Sequence, residues 1–347
     1  MAVCEGDNRA RRPRLQEKSL ATTVGLASLR RMNRRAFLIS SGAAASLALL
    51  GRGRLSAQTP PAAPSVPVAP PPPVTEFKLL RRNVGLFTGQ GGTVGWLSNR
   101  DALAVVDTQF PQTASVLLRD LPGRDGRMID AVINTHHHGD HTGGNAVLRP
   151  AAKQVIAHAN VPELMRARAE ADKRTLDPAL LPTLGFTDGY RQGFGDEAVS
   201  AKYFGPAHTR GDIVVLFEQA NVVHLGDLMF NRLYPVIDRP GGASIRGWVK
   251  LLEKVAKDYP PDATYIFGHG NPKFGVTGTP ADLLVFRDYL SGLLAHVESE
   301  IKAGKSKEEI QKLENLPGFP DFHQPPGRGN RLPGNLGVAY DEIMAAG

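Results

Sequence analysis

The sequence predicts an α/β chain in four layers, an αββα sandwich with two β-sheets face to face and helices on the outside. Short apolar or alternating runs of strand length fall into two groups along the chain. Each group is followed by segments whose apolar residues recur at helical spacing. Hydrophobic residues make up 41% of the 347 residues, enough to fill a sizeable core.

In chain order, an export signal comes first. Asn33-Arg34-Arg35-Ala36-Phe37-Leu38 resembles the twin-arginine motif of exported bacterial precursors. The apolar run 36–50 behind it is only 15 residues long and includes Ser40, Ser41, Gly42 and Ser46, short for a bilayer span. Leu55-Ser56-Ala57 offers a cleavage site before Gln58. Signal peptides begin just ahead of their positive residues, so Met32 reads as the initiator and 1–31 as an over-extended reading frame. Eight prolines among the 16 residues 58–73 make a stiff, polyproline-like linker. The expected organisation is a signal region at 1–57, a linker at 58–73 and a catalytic domain at 74–347. The mature protein then lies in the periplasm or is secreted, with no membrane span.

Within the domain, 77–82, 84–88, 93–98 and 102–107 read as strands separated by Gly and Asn-Arg-Asp turns. A helix is expected over 113–121, a buried strand over 128–135 and a helix over 162–173. Strands return at 198–204, 212–217 and 222–225. Trp248, Leu251, Leu252, Val255 and Ala256 mark a helix over 245–259, and a strand at 264–267 precedes a long helix at 280–303. The stretch 88–95 (TGQGGTVG) reads either as a flexible flap or as a plain hairpin turn. The Pro- and Gly-rich 317–335 is expected to drape over the site.

Charge and cysteine narrow the function. Lys plus Arg number 41 against 34 Asp plus Glu, a net of +7. Residues 1–57 hold 11 of the basic and 3 of the acidic residues, so the rest carries 30 against 31 and is near neutral. A nucleic-acid partner is not supported. The one cysteine, Cys4, lies in the leader, which excludes a disulfide framework, an iron–sulfur cluster, a thiolate nucleophile and a Cys-ligated metal in the body. Any metal must be held by His, Asp and Glu.

Such residues cluster at Thr135-His136-His137-His138-Gly139-Asp140-His141, directly after a predicted buried strand. His136 and His138, two apart, point the same way and can grip one ion, while His137 between them points away. Asp140 and His141 lie past the turn at Gly139 and can reach a second ion. Nitrogen and oxygen donors suit Zn²⁺, with Mn²⁺ or Fe²⁺ as alternatives. Downstream, His208 sits in Gly205-Pro206-Ala207-His208-Thr209-Arg210-Gly211-Asp212, Asp227 ends Val222-Val223-His224-Leu225-Gly226-Asp227, and His269 lies in Phe267-Gly268-His269-Gly270. His158, His224, His296 and His323 carry no motif and read as structural or surface residues.

His136-x-His138-x-Asp140-His141 resembles the HxHxDH signature of the metallo-β-lactamase superfamily, and His208, Asp227 and His269 follow in that family's order after gaps of 67, 19 and 42 residues. The resemblance implies the metallo-β-lactamase fold and two Zn²⁺ per chain. One ion would take His136, His138 and His208, the other Asp140, His141 and His269, with Asp227 shared. Two metals with a bridging hydroxide imply metal-assisted hydrolysis, Asp140 and Asp227 orienting the nucleophile. Asn231, Arg232 and Tyr234, close behind Asp227, are candidates for donation to a developing oxyanion, or for loop packing.

The family cleaves β-lactams, lactones, thioesters, phosphodiesters and sulfate esters, so the fold names no substrate. A shared Asp227 suits the glyoxalase II-like and general hydrolase branches, and the missing cysteine excludes the β-lactamases with a cysteine ligand. Export disfavours cytoplasmic substrates such as a glutathione thioester or a tRNA precursor. The expected partner is a periplasmic small molecule with an ester, thioester, lactone or lactam bond. The alternatives are β-lactam hydrolysis proper, a non-catalytic periplasmic metal-binding or accessory protein, and an iron-dependent oxidoreductase on the same fold.

Overall fold

The computed structural model describes residues 73–325 and 327–346. The expected signal, its cleavage site, the Met32 start, Cys4 and the linker up to residue 72 lie outside the described residues.

The first part of the domain builds a seven-stranded sheet in sequence order. β1 (Glu76–Arg81), β2 (Val84–Thr88), β3 (Val94–Ser98) and β4 (Leu103–Val106) are antiparallel neighbours. After α1 (Pro111–Asp120), β5 (Ala131–Ile133) joins parallel to β4. The one-turn helices α2 (Gly139–Thr142) and α3 (Asn145–Leu148) lead to β6 (Val155–His158), α4 (Val161–Ala171) and β7 (Leu184–Phe186), which extend the sheet in parallel.

The second part supplies β8 (Gly189–Phe194), β9 (Glu197–Tyr203), β10 (Ile213–Phe217), β11 (Val222–His224), β12 (Phe230–Asn231), α5 (Ile245–Asp258), β13 (Thr264–Ile266), β14 (His269–Gly270), β15 (Thr277–Gly278), α6 (Pro280–Lys302), α7 (Lys307–Ile310) and α8 (Leu332–Met344). Its six-stranded sheet has the order β15-β13-β11-β10-β9-β8, and β12 pairs separately with β14.

The layers follow from side-chain alternation. In β4, Ala104 and Val106 join a core with Ile213, Val215 and Phe217 of β10, between the sheets. Leu103 and Val105 on the opposite face pack with Ala114 and Leu117 of α1. On the far side, Val214 joins Trp248 and Leu252 of α5, Phe286 of α6 and Leu336 of α8. A strand buried on both faces reads as an unbroken apolar run, which is why the central strands were legible.

The buried strand expected over 128–135 is shorter, Ala131–Ile133, with Ile129 making one bridge to Ala152. Six strands escape the sequence pattern, among them β12, β14 and β15 of two residues each, too short to show alternation. β6 is only four residues long, and β7 and β8 lie at sheet edges, half exposed and interrupted by Gly185, Gly189 and Gly193. The loop expected over 317–335 ends at Arg331, because α8 starts at Leu332. Pro333 stands in its first turn, where a missing N–H costs no helical bond. From α8 the Glu342 carboxylate accepts the Ile245 and Arg246 N–H groups at 2.8 and 3.0 Å, capping α5 beside its N-cap Ser244. Among the described residues no helix is long and apolar enough to cross a membrane.

Candidate metal centre

The ligand-type residues sit where the chain leaves its strands. Behind β5, His138 caps α2 with extended backbone (φ −66°, ψ 147°), so His136 and His138 precede the helical turn while Asp140 and His141 lie within it. His208 lies in the β9–β10 connection. There the Asp212 carboxylate accepts the Thr209 N–H at 2.6 Å and its hydroxyl at 2.7 Å, closing the loop, and burial pushes Asp212 up to about 7. Asp227 lies in a single tight turn, Gly226–Leu228, after β11. Gly226 there has φ +51°, and a Cβ would overlap the Thr135 side chain, so the turn requires glycine. His269 opens β14.

These residues converge as two sets. His138 Nδ1 lies 3.1 Å from His136 Nε2 and 3.0 Å from His208 Nε2, with Asp227 Oδ2 3.9 and 3.7 Å from the latter two atoms. On the other side, Asp227 Oδ1 lies 3.0 Å from His141 Nε2 and 3.3 Å from His269 Nε2. Asp140 Oδ2 completes that set, 3.1 Å from His269 Nε2 and 3.9 Å from His141 Nε2. One carboxylate thus presents one oxygen to each set.

A cation fits both sets, and the remote ring nitrogens show why. His208 Nδ1–H donates to the Val236 carbonyl at 2.8 Å, and His141 Nδ1–H to Asp107 Oδ2 at 2.7 Å. His138 Nε2–H donates to Asp238 Oδ2 at 3.0 Å. The Thr135 hydroxyl gives its hydrogen to Asp107 Oδ2, so it accepts from His136 Nδ1–H at 3.1 Å. In the first set, three imidazole lone pairs are therefore left facing one point about 3 Å apart, repulsive unless an ion stands among them. In the second, His141 Nε2 and Asp227 Oδ1 are buried without a hydrogen-bond partner.

Asp107, Thr135 and Asp238 were absent from the sequence-derived candidates. Asp107 ends a strand run and Asp238 sits in a loop 100 residues from His138, so neither stands out from an ordinary turn aspartate. The left-handed backbone of Asp107 (φ 67°) is visible only in the fold.

The two sets differ in their affinity for protons. Burial lowers His136 well below the ordinary imidazole value, with His141 and His138 adding to the effect, and burial takes His208 down to about 3. Burial also opposes charge on His269, yet Asp227 and Asp140 raise it to about 9, and carboxylates raise His141 likewise. Burial would raise Asp227 and Asp140, but the facing histidines hold both carboxyls well below their usual range.

Two expected substrate residues are not at the cavity. The Asn231 amide donates to the Gly275 carbonyl at 3.0 Å while its oxygen accepts from Arg232 Nη1 at 2.9 Å. Tyr234 is buried and stacks on Tyr289. Both are used in loop and core packing, because the chain turns inward after Asp227. Arg232 is tied to Asp282 as well as Asn231. The 88–95 stretch is the β2–β3 hairpin. Gly92 N–H donates to the Asp140 carbonyl at 3.0 Å, and a Cβ at Gly92 would overlap the His141 ring. His137 Nε2 lies 3.4 Å from Asp238 Oδ2, away from both sets. His158 and His224 bond to the Thr187 and Thr93 carbonyls. A cavity of about 680 Å³ opens over His138, Asp140, Asp227 and His269, and Pro325, Arg328 and Arg331 of the C-terminal segment help line it.

The chain's residues 87–269, just over half its length and spanning both donor sets, match the model of the metallo-beta-lactamase superfamily. A hydroxyacylglutathione hydrolase of Methylococcus capsulatus is 29% identical over 190 residues, 52% of this chain and 64% of its own length, so the chain spans less than two thirds of that relative. Among solved structures, a double mutant of the sec-alkyl sulfatase PisA1 gives a TM-score of 0.60 at 17% identity, over 77% of this chain and 50% of that one. A metallo-beta-lactamase from Pontibacter korlensis gives 0.50 at 18%, over 63% and 99%. Both likenesses are in fold.

Proposed function

The chain belongs to the metallo-beta-lactamase superfamily, and from that premise we propose a dinuclear metal-dependent hydrolase that opens an ester, thioester, lactone or lactam bond in a small molecule. The observation that carries this reading is Asp227, whose two oxygens face two separate sets of donors. His136, His138 and His208 would hold one ion, and Asp140, His141 and His269 the other, zinc being the ion that nitrogen and carboxylate donors suit. A pair of divalent ions supplies Lewis acidity to activate water near neutral pH and to polarise the acyl oxygen.

The protein's own part is orientation. Asp107, through Thr135 and His141, and Asp238, through His138, keep the ring protons on the outer nitrogens. Asp140 and Asp227 offer acceptor-only oxygens that orient the attacking water. Residues 58–347 hold no cysteine, which excludes a thiolate nucleophile, and the attacking group in this reading is water. The test is metal analysis followed by a panel of chromogenic esters, lactones and lactams. We expect close to two ions per chain and turnover of at least one class. A fully active preparation holding less than one ion per chain would refute the dinuclear reading, and turnover of lactams alone would move it to β-lactam hydrolysis.

The same reading puts the mature protein outside the cytoplasm, supported by Arg34, Arg35 and the apolar run behind them. Replacing both arginines with lysine should strand the precursor inside the cell. Undiminished recovery in the periplasmic fraction would sink the export proposal.

A further inference from the structure

The cavity over the donor sets carries positive charge that hydrolysis itself does not use. Arg168, Arg174, Arg328 and Arg331 line it, and among the described residues its one carboxylate apart from Asp140 and Asp227 is Asp172. Asp172 accepts from Arg168 Nε at 2.9 Å and lies 3.5 Å from Arg174 Nε, so those two arginines share a single counter-charge. Arg331 makes no ion pair among the described residues. Its Nη1 donates to the Tyr234 carbonyl at 3.2 Å, and its backbone N–H donates to Gln324 Oε1 at 2.6 Å. It is half-buried at the N-terminus of α8, so the fold fixes where the guanidinium stands.

Burial lowers the pKa of Arg331, and Asp227 and Asp140 are the carboxylates that act against this. Once those two face metal ions, their charge is spent there and the guanidinium lacks an anion. A half-buried guanidinium is a forked donor matched to a planar or tetrahedral oxyanion. Beside it the cavity has apolar lining from Phe110, Met165, Leu176, Leu180, Phe230 and Leu233. A cationic cavity with low-dielectric walls concentrates anions.

We propose that the substrate is an amphiphilic anion, its apolar body against these six side chains and its anionic group paired with Arg331. This rests on the hydrolase reading for the reaction but not for the binding. In the reaction, water oxygen bonds to the acyl carbon as the bond to the leaving oxygen, sulfur or nitrogen breaks. One water hydrogen goes to the leaving atom, and the acid product releases the other proton at neutral pH.

The test uses the full-length, metal-loaded protein. Binding of octanesulfonate and of octanol is measured by calorimetry at low and high salt, and hydrolysis with mono-4-nitrophenyl glutarate against 4-nitrophenyl butyrate. Octanesulfonate should bind about tenfold tighter than octanol at low salt, an advantage that shrinks with added salt. Arg331→Gln should abolish that advantage and lower the glutarate-over-butyrate preference about tenfold, through KM. Arg331→Lys should keep part of both, and Arg119→Gln, whose exposed partner is Asp120 on α1, should keep all. Metal content and circular dichroism establish that each variant is intact. Equal binding of the two probes by the unmodified protein overturns the proposal, as does an Arg331→Gln variant that retains the octanesulfonate advantage. If no ester is turned over while that advantage persists and depends on Arg331, the hydrolase reading fails and the anion site stands.

Discussion

Asp227→Ala should leave the chain folded and weaken both proposed metal sites at once. Its two carboxylate oxygens serve different donor sets, Oδ2 towards His136 and His208, Oδ1 towards His141 and His269. Removing the side chain takes one donor from each set and leaves the attacking water without an acceptor between them. Metal content should fall from close to two ions per chain to below one, and turnover should fall by at least about 100-fold, the upper end of what even indirect metal partners cost. The fold should persist, because the cores between and outside the sheets are built from other residues. His137→Ala, in the same loop as the first ligands, should do far less, since its ring turns to Asp238. The two variants are compared by metal content, circular dichroism and hydrolysis of the substrate found in the panel. Equal losses would mean that the loop is threaded differently. A fully active Asp227→Ala holding two ions would remove Asp227 from the centre.

Acid should empty the two sites in a set order, the Asp140–His141–His269 site first. His269 is raised to about 9 and His141 is raised too, so at neutral pH both nitrogens hold protons that an incoming ion must displace. His208 is lowered to about 3 and His136 is lowered as well, so their lone pairs stay free far into the acid range. The sign follows. As pH falls below 9, apparent affinity at the second site drops by about tenfold per unit for each proton displaced, while His136 and His208 present no such proton to an ion at the first set. Metal content measured after equilibration with a chelator across a pH series should therefore pass through a plateau near one ion per chain. Simultaneous loss, or persistence of the ion at the acid-and-histidine site, would contradict this order. Activity should fall with the first ion lost.

Much of this centre was legible in the chain because chemistry and local geometry coincide there. Four donors within six residues after a buried strand have few other uses, and His208 and His269 carry flanking glycines that mark turns at strand ends. Residues acting on those donors were not legible. Asp107 reaches His141 across 34 residues because β4 and β5 lie side by side in one sheet, and Asp238 reaches His138 across 100, pairings that exist only once distant segments have come together. Nearness in sequence misled in the other direction. Asn231 and Tyr234 follow Asp227 closely, but the chain turns into the core, where Asn231 is held by the Gly275 carbonyl and Tyr234 by Tyr289.

By itself, then, the sequence determined the layered α/β class, the central strands, α5 and α6, and the set of side chains able to grip metal. Each of these follows from local periodicity or from donors packed into a few positions. Tertiary structure alone decided that Asp227 divides its oxygens between two sets and which ring nitrogen of each first-set histidine faces inward. It also decided that α8 caps α5 through Glu342 and that Arg331, 62 residues beyond His269, reaches the same cavity. These depend on where distant segments come to rest, which is settled by burial of apolar faces and by hydrogen bonding of the polar groups buried with them.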